Sequence, residues 1–198
     1  MTQFHFKPET YLVEVRREVP AFDELQYQAA KATGIDDVHR VLDLGTGTGE
    51  TALAVLRRHP SAVLHLLDES ADMLAISKGR LPSAQVEDSL VGDMRGPLPD
   101  GPFDLVASAL AVHHISGTDK QALFARVHDR LRPGGRFVLA DVVIPDDPID
   151  AVTPLSPGFD MPDRVDDLLT WLGGTGFTAA VTWESGDLAV IAANRDRA

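Results

Sequence analysis

Two hydrophobic rhythms alternate along this chain. Short apolar runs end in Gly, Pro, Asp or Asn, and between them lie amphipathic stretches with apolar residues three or four positions apart. The first rhythm fits buried strands and the second fits helices packed on one face. The chain opens with helices at 9–18 and 22–33, broken at Pro20, which cannot continue the first. Tyr11, Leu12, Val15 and Val19 share one helical face. Strand 39–44, helix 49–59, strand 62–68 and helix 70–80 follow, with Ser70 as N-cap of the last and Met73 one turn in. A strand at 84–91 leads to Gly92-Asp93, and Pro97-Leu98-Pro99-Asp100-Gly101-Pro102 makes a turn. Strand 103–110, helix 118–131 and strand 135–144 come next. The stretch 145–162 holds five prolines and reads as a loop. Helix 163–173 ends at Gly173-Gly174, and strands 177–184 and 187–193 meet in a hairpin at Ser185-Gly186.

The candidate chemistry lies where strands end. Val41-Leu42-Asp43-Leu44 runs into Gly45-Thr46-Gly47-Thr48-Gly49, and the helical stretch Thr51 to His59 follows. Alternate glycines let the backbone turn sharply and let a ligand lie against it. The helix start adds unpaired N–H groups and the positive end of a dipole. An acid, Asp68, closes the next strand. A carboxylate there can accept both hydroxyls of a ribose. These features predict a nucleoside-bearing cofactor at the mouth of a parallel sheet. Dinucleotide sites usually space their glycines as G-x-G-x-x-G, whereas Gly45, Gly47 and Gly49 strictly alternate.

From Asp43 to Gly49 the chain resembles the first motif of the class I S-adenosylmethionine-dependent methyltransferases, an acid followed by x-G-x-G-x-G. Their later motifs follow in order: Asp68, Gly92-Asp93-Met94, Phe103-Asp104-Leu105-Val106, and Leu131-Arg132-Pro133-Gly134-Gly135-Arg136-Phe137. The resemblance covers residues 39 to 144 firmly and the rest loosely. It implies S-adenosylmethionine as cofactor and S-adenosylhomocysteine as product. Gly45, Thr46, Gly47 and Gly49 would take the methionine moiety and part of the ribose, and Asp68 the ribose hydroxyls. Asp93 would accept from the adenine amino group, Met94 would pack on the ring, and Met73 would close its other face. Asp43 would orient the methionine ammonium, and Ala109 ends a strand at the same sheet edge. Plain structural roles stay open beside these: a helix cap for Asp68, a turn-forming side chain for Asp93, ordinary core for Met73.

The implied fold class is α/β, a three-layer αβα sandwich. It has a mostly parallel seven-stranded sheet, a C-terminal antiparallel hairpin and N-terminal lid helices. One domain would span 1–198, with lid helices in 1–36, the cofactor-binding core in 37–144, and the Pro-rich loop, last helix and hairpin in 145–198.

Methyl transfer from a sulfonium needs positioning and water exclusion, and a general base when the acceptor carries a proton. His113 and His114, just past the fourth strand, are the candidate catalytic residues. In extended backbone neighbours point to opposite faces, so at most one of the two would face the pocket, and the resemblance also implies a role in shape for a His there. Neither has a metal-ligand partner at useful spacing, so no metal is expected. Ala109-Leu110-Ala111-Val112 stands where enzymes acting on base amines or glutamine amides carry Asn-Pro-Pro-Tyr or Asp-Pro-Pro-Tyr. An oxygen, carboxylate or other nucleophile of a small molecule is therefore the expected acceptor. Tyr11, Phe22, Phe159, Asp160 and Met161 are candidates to contact it. The site would be closed by the N-terminal helices or by a second protomer, so monomer and homodimer both stand. The Pro-rich loop is a lid, a dimer contact or a static connection.

Charge narrows the partners. A net charge of −12 and a pI near 4.8 disfavour a nucleic-acid partner, which needs Lys and Arg against phosphates. There is no cysteine, hence neither disulfide nor thiolate nucleophile. Met1 to Pro8 lacks the apolar core of a signal peptide and no run approaches a membrane span, so a cytoplasmic protein is expected. Three other readings remain: a tRNA-modification enzyme such as a carboxy-S-adenosylmethionine synthase, a nicotinamide oxidoreductase, and a non-enzymatic scaffold.

Overall fold

A computed structural model describes residues 7–197. Most of the segment read for a leader, residues 1–6, lies outside them. The elements are α1 (Tyr11–Glu18), α2 (Phe22–Ala32), β1 (Arg40–Leu44), α3 (Glu50–Arg58), β2 (Val63–Asp68), α4 (Ala71–Arg80), β3 (Val86–Val91) and β4 (Phe103–Ala109). Then follow α5 (Gly117–Arg130), β5 (Leu131–Val142), α6 (Val165–Gly174), β6 (Phe177–Ser185) and β7 (Leu188–Arg195). The seven strands form one sheet in the order β3-β2-β1-β4-β5-β7-β6. β1 to β5 pair in parallel, and β7 runs antiparallel to both of its neighbours. This is the Rossmann-like architecture that the alternation of strand and helix implies.

Successive strand residues feed opposite faces of the sheet, as the two-residue repeat requires. Val41, Leu64, Leu66, Leu105 and Val138 pack under Phe22, Leu25, Val55 and Leu74 on one side. Leu42, Leu44, Phe103, Val106 and Phe137 meet Leu123, Phe124, Val127, Leu168 and Leu172 on the other. Strand order reverses at β1, with β2 on one side and β4 on the other. The carboxyl ends of β1 and β4 therefore part at a natural ligand crevice.

Among the boundaries that differ from the sequence reading, three have a packing reason. β5 starts at Leu131, not 135, because buried Leu131 pairs with Phe103 and a register irregularity absorbs Pro133-Gly134. β3 starts at Val86 after a 3₁₀ turn, Ser83–Gln85, whose Gln85 amide ties down Pro60 and Ala62 carbonyls. The hairpin turns at Gly186-Asp187, one residue late. Asp187 is buried there and accepts hydrogen bonds from the Val152 and Thr153 amides and the Thr153 hydroxyl. No helix among the described residues is long and apolar enough to cross a membrane.

Candidate functional site

The glycine turn after β1 has the predicted left-handed backbone, with φ of 67°, 52° and 88° at Gly45, Gly47 and Gly49. A side chain on Gly45 would meet the Ala111 Cβ at 2.3 Å, so this glycine lets the turn after β4 close over it. A Cβ on Gly47 would point into open space, with nothing nearer than a backbone oxygen at 4.0 Å. That bare strip of backbone is where a ligand can lie. The Gly45 and Thr46 amides are fixed by the Leu67 carbonyl at 2.8 and 3.1 Å.

Asp68 ends β2 inside the same crevice. One carboxylate oxygen accepts from the Gly47 amide at 2.7 Å and the other from the Ser70 amide at 2.8 Å. Each keeps a lone pair for a further donor. Burial raises its pKa against the pull of those two bonds. Ser70 caps α4, accepting from the Met73 amide at 3.2 Å, and so sets buried Met73 on the cavity wall. Asp43 lies beneath the turn. Both its carboxylate oxygens are buried without a hydrogen-bond partner among the described residues. Burial, with Asp68 nearby, pushes its pKa up to about 7. A donor is missing there, and an ammonium group would supply it. Asp93 and Met94 line the wall, but Arg95 grips the Asp93 carboxylate through Nε at 2.8 and 3.0 Å and holds its pKa low.

The second half of the site follows β4. Leu110 takes a left-handed φ of 51°, which turns the chain into a 3₁₀ turn, Val112–His114. This corrects the expectation that the two imidazoles face opposite ways. The turn is not extended, the rings stand 4.0 Å apart, and both line the cavity. Asp141, at the end of β5, holds His113: its carboxylate is 2.5 Å from Nδ1 and accepts the His113 amide at 2.9 Å. Burial pushes Asp141 upward, but the contact with His113 wins and its pKa is lowered. His114 Nδ1 lies 2.9 Å from Asp160, and burial, reinforced by His113, lowers its pKa to about 4. It is a neutral imidazole near pH 7. His113 Nε2 stands 3.8 Å from the same Asp160 oxygen. The expectation of no ligand partner for the pair is also corrected: one ligand atom each from His113, His114 and Asp160 lie within 4.8 Å of one another.

Walls from the N-terminal helices and from the loop after β5 flank a cavity of about 190 Å³. Tyr11, Val15, Val19 and Phe22 close it on the side of α1 and α2, and Thr153 to Ser156 with Phe159 close it on the loop side. The loop is pinned by the Met161 amide, which donates to the His113 carbonyl at 2.6 Å, and by the Lys120 ammonium, bonded to the Met161 carbonyl and Asp163. Of the predicted residues, Gly45, Thr46, Gly47, Asp68, Met73, Asp93, Met94, Ala109, His113, His114, Tyr11, Phe22, Phe159 and Asp160 share this wall. Asp43, Gly49 and Met161 do not line it. Sequence reading missed Asp141, and it named the Pro-rich loop as a lid candidate without singling out Thr153 to Ser156. A lone acid in the apolar run Phe137-Val138-Leu139-Ala140-Asp141-Val142-Val143 was the available signal.

Comparison with known proteins agrees with this geometry. Residues 41–135 match a family model described as a methyltransferase domain. A trans-aconitate 2-methyltransferase of Mycobacterium tuberculosis is 33% identical over 108 residues, covering 54% of this chain and 39% of that protein. The chain spans less than half the length of the curated relatives it matches. Among solved structures, the S-adenosylmethionine-dependent methyltransferase SibL superimposes with a TM-score of 0.73 at 25% identity, covering 91% of this chain and 57% of that one. CalS10, an amino pentose methyltransferase from Micromonospora echinaspora solved with S-adenosylmethionine bound, gives 0.70 at 20% identity, covering 98% and 99%.

Proposed function

We propose, for a chain that belongs to the class I S-adenosylmethionine-dependent methyltransferases, that it moves a methyl group to an oxygen, carboxylate or other nucleophile of a small molecule. The observation that carries this reading is one continuous cavity joining the glycine turn and Asp68 to the His113–His114 turn. Bound S-adenosylmethionine supplies an activated methyl on sulfur and leaves as S-adenosylhomocysteine.

The residues present fit that cofactor. Gly47 offers bare backbone, Asp68 keeps a lone pair on each oxygen, and the buried Asp43 carboxylate lacks a donor. In the proposal Asp68 binds the ribose hydroxyls, Met73 and Met94 sandwich the adenine, and Asp43 draws the ammonium, directly or through water. Asp93 reaches the adenine amino group only as far as its pairing with Arg95 leaves an oxygen available.

At the other end, His113 is the group placed to take a proton from the acceptor. Asp141 fixes its Nδ1 and leaves Nε2 for the cavity, the division of labour of an Asp-held imidazole base. Asp160, 3.8 Å from Nε2, would stabilise the imidazolium that forms. Asp141 is a positioning residue in this scheme. The apolar wall of Tyr11, Val15, Val19 and Phe22 excludes water while the methyl moves.

The carboxy-S-adenosylmethionine reading needs a cation for the extra carboxylate, and no Lys or Arg is among the described lining residues. Titration of S-adenosylhomocysteine into wild type and Asp68→Ala tests the placement. Binding should weaken by more than about tenfold in the variant, the ~1.4 kcal/mol of lost ribose bonds. Equal affinity in a folded variant sinks it.

A further inference from the structure

At the end of the cavity away from the glycine turn, two imidazoles converge on one oxygen. His113 Nε2 and His114 Nδ1 lie 3.8 and 2.9 Å from the same Asp160 carboxylate oxygen. One ligand atom from each of the three residues falls within 4.8 Å of the other two. A tetrahedral ion with bonds of ~2.0–2.2 Å holds its ligand atoms about 3.3–3.5 Å apart, and the two distances bracket that spacing. All three residues line the cavity, so an ion can reach them.

The groups behind these side chains are those that orient metal ligands. A ligating histidine usually donates its other N–H to a carboxylate, and a ligating carboxylate is itself hydrogen-bonded. Buried Asp141 stands 2.5 Å from His113 Nδ1, which leaves the Nε2 lone pair for the cavity. The second Asp160 oxygen accepts from the Ser156 amide at 2.6 Å. A hydrogen bond to His114 accounts for the 2.9 Å contact alone. It gives no reason for a second imidazole, backed by its own carboxylate, to aim at the same oxygen.

We propose that His113, His114 and Asp160 bind a divalent transition-metal ion of the zinc class, with Asp141 orienting the His113 ligand. Two nitrogens and one carboxylate suit zinc, cobalt or nickel better than magnesium, which takes oxygen ligands. Three protein ligands leave a position open toward the cavity. Arg16 and Arg17 on α1 pair with Asp23 and Glu18, Lys120 pairs with Asp163, and none of the three lines the cavity. The Asp141 and Asp160 carboxylates together offset the two charges of the ion, so it can share the cavity with a sulfonium. A bound ion takes the Nε2 lone pair that the proposed base uses, so metal-loaded and base-competent sites are separate states. Metal binding stands apart from the methyltransferase reading, and only this last consequence rests on it.

Calorimetric titration of Zn²⁺ into the chelator-stripped full chain tests the site without turnover. Wild type should bind Zn²⁺, and Mg²⁺ in excess should not displace it. His114→Ala and Asp160→Asn should each weaken binding at least tenfold, and Asp141→Asn by roughly tenfold or more through the ligand it orients. His39→Ala, which removes an exposed imidazole elsewhere, should change nothing. Circular dichroism checks that each variant is folded. No Zn²⁺ binding by wild type, displacement by Mg²⁺, or full affinity in folded His114→Ala and Asp160→Asn overturns the proposal. S-Adenosylhomocysteine is titrated into the same preparations. Zn²⁺ bound at these residues with no S-adenosylhomocysteine bound would sink the methyltransferase reading and leave the metal site standing. S-Adenosylhomocysteine bound with no Zn²⁺ would do the reverse.

Discussion

At the scale of single residues, Asp43, Gly45 and the His113–Asp141 pair shape the site. Asp43 is a carboxylate buried with no donor, and its raised pKa has a stability consequence. The folded protein keeps a proton that the unfolded chain would release. Stability should therefore fall as pH rises from about 4, the ordinary carboxylate value, to about 7, and then level. Asp43→Asn should remove this slope. It should raise the melting temperature of ligand-free protein at about pH 7.5, by roughly 2–4 °C for each kcal/mol recovered, while weakening cofactor binding. Thermal melts across that range check the sign. Gly45 is constrained by contact with Ala111 as well as by its φ. Gly45→Ala should lower the melting temperature and cofactor affinity together, and Ala111→Gly in the same chain should restore part of both. His113 is the proposed base and Asp141 its holder. Asp141→Asn should lower kcat by roughly a hundredfold or more, as expected of a disturbed acid–base pair, and shift the pH–rate profile with little change in cofactor affinity. A merely structural loss would leave the profile's shape intact.

At the scale of elements, the site is built by convergence of pieces far apart in the chain. α1 and α2 lie at the start, the Pro-rich loop after β5, and the two meet across the crevice. The loop is tied to the sheet at Asp187, which accepts from Val152 and Thr153, and to the His113–His114 turn through Met161. Asp187→Ala should loosen the loop without touching the cofactor half. The Michaelis constant for acceptor should rise several-fold while S-adenosylhomocysteine affinity holds, and amides near 152–160 should exchange faster with deuterium. Such tethers explain how a loop with five prolines can form a wall. Prolines limit the backbone, and the hydrogen bonds fix what freedom is left.

For the molecule as a whole, the switch in strand order at β1 and β4 decides where the ligand crevice opens. Much of this was legible in the sequence. The hydrophobic rhythm determined the strands and helices, and Ser70 announced its cap. The alternate glycines and Asp68 marked the crevice, because backbone freedom and a strand-end acid are local properties. Tertiary structure alone decided the rest. That both histidines face the cavity follows from a left-handed Leu110 and a 3₁₀ turn. That Asp141 and Asp160 hold them follows from contacts spanning 28 and 46 residues. That Arg80, Arg95 and Lys120 are absent from the cavity wall follows from where each finds its partner. Local pattern sets what each segment becomes. Pairings between distant side chains depend on the packed arrangement of all of them, and no window of sequence contains that.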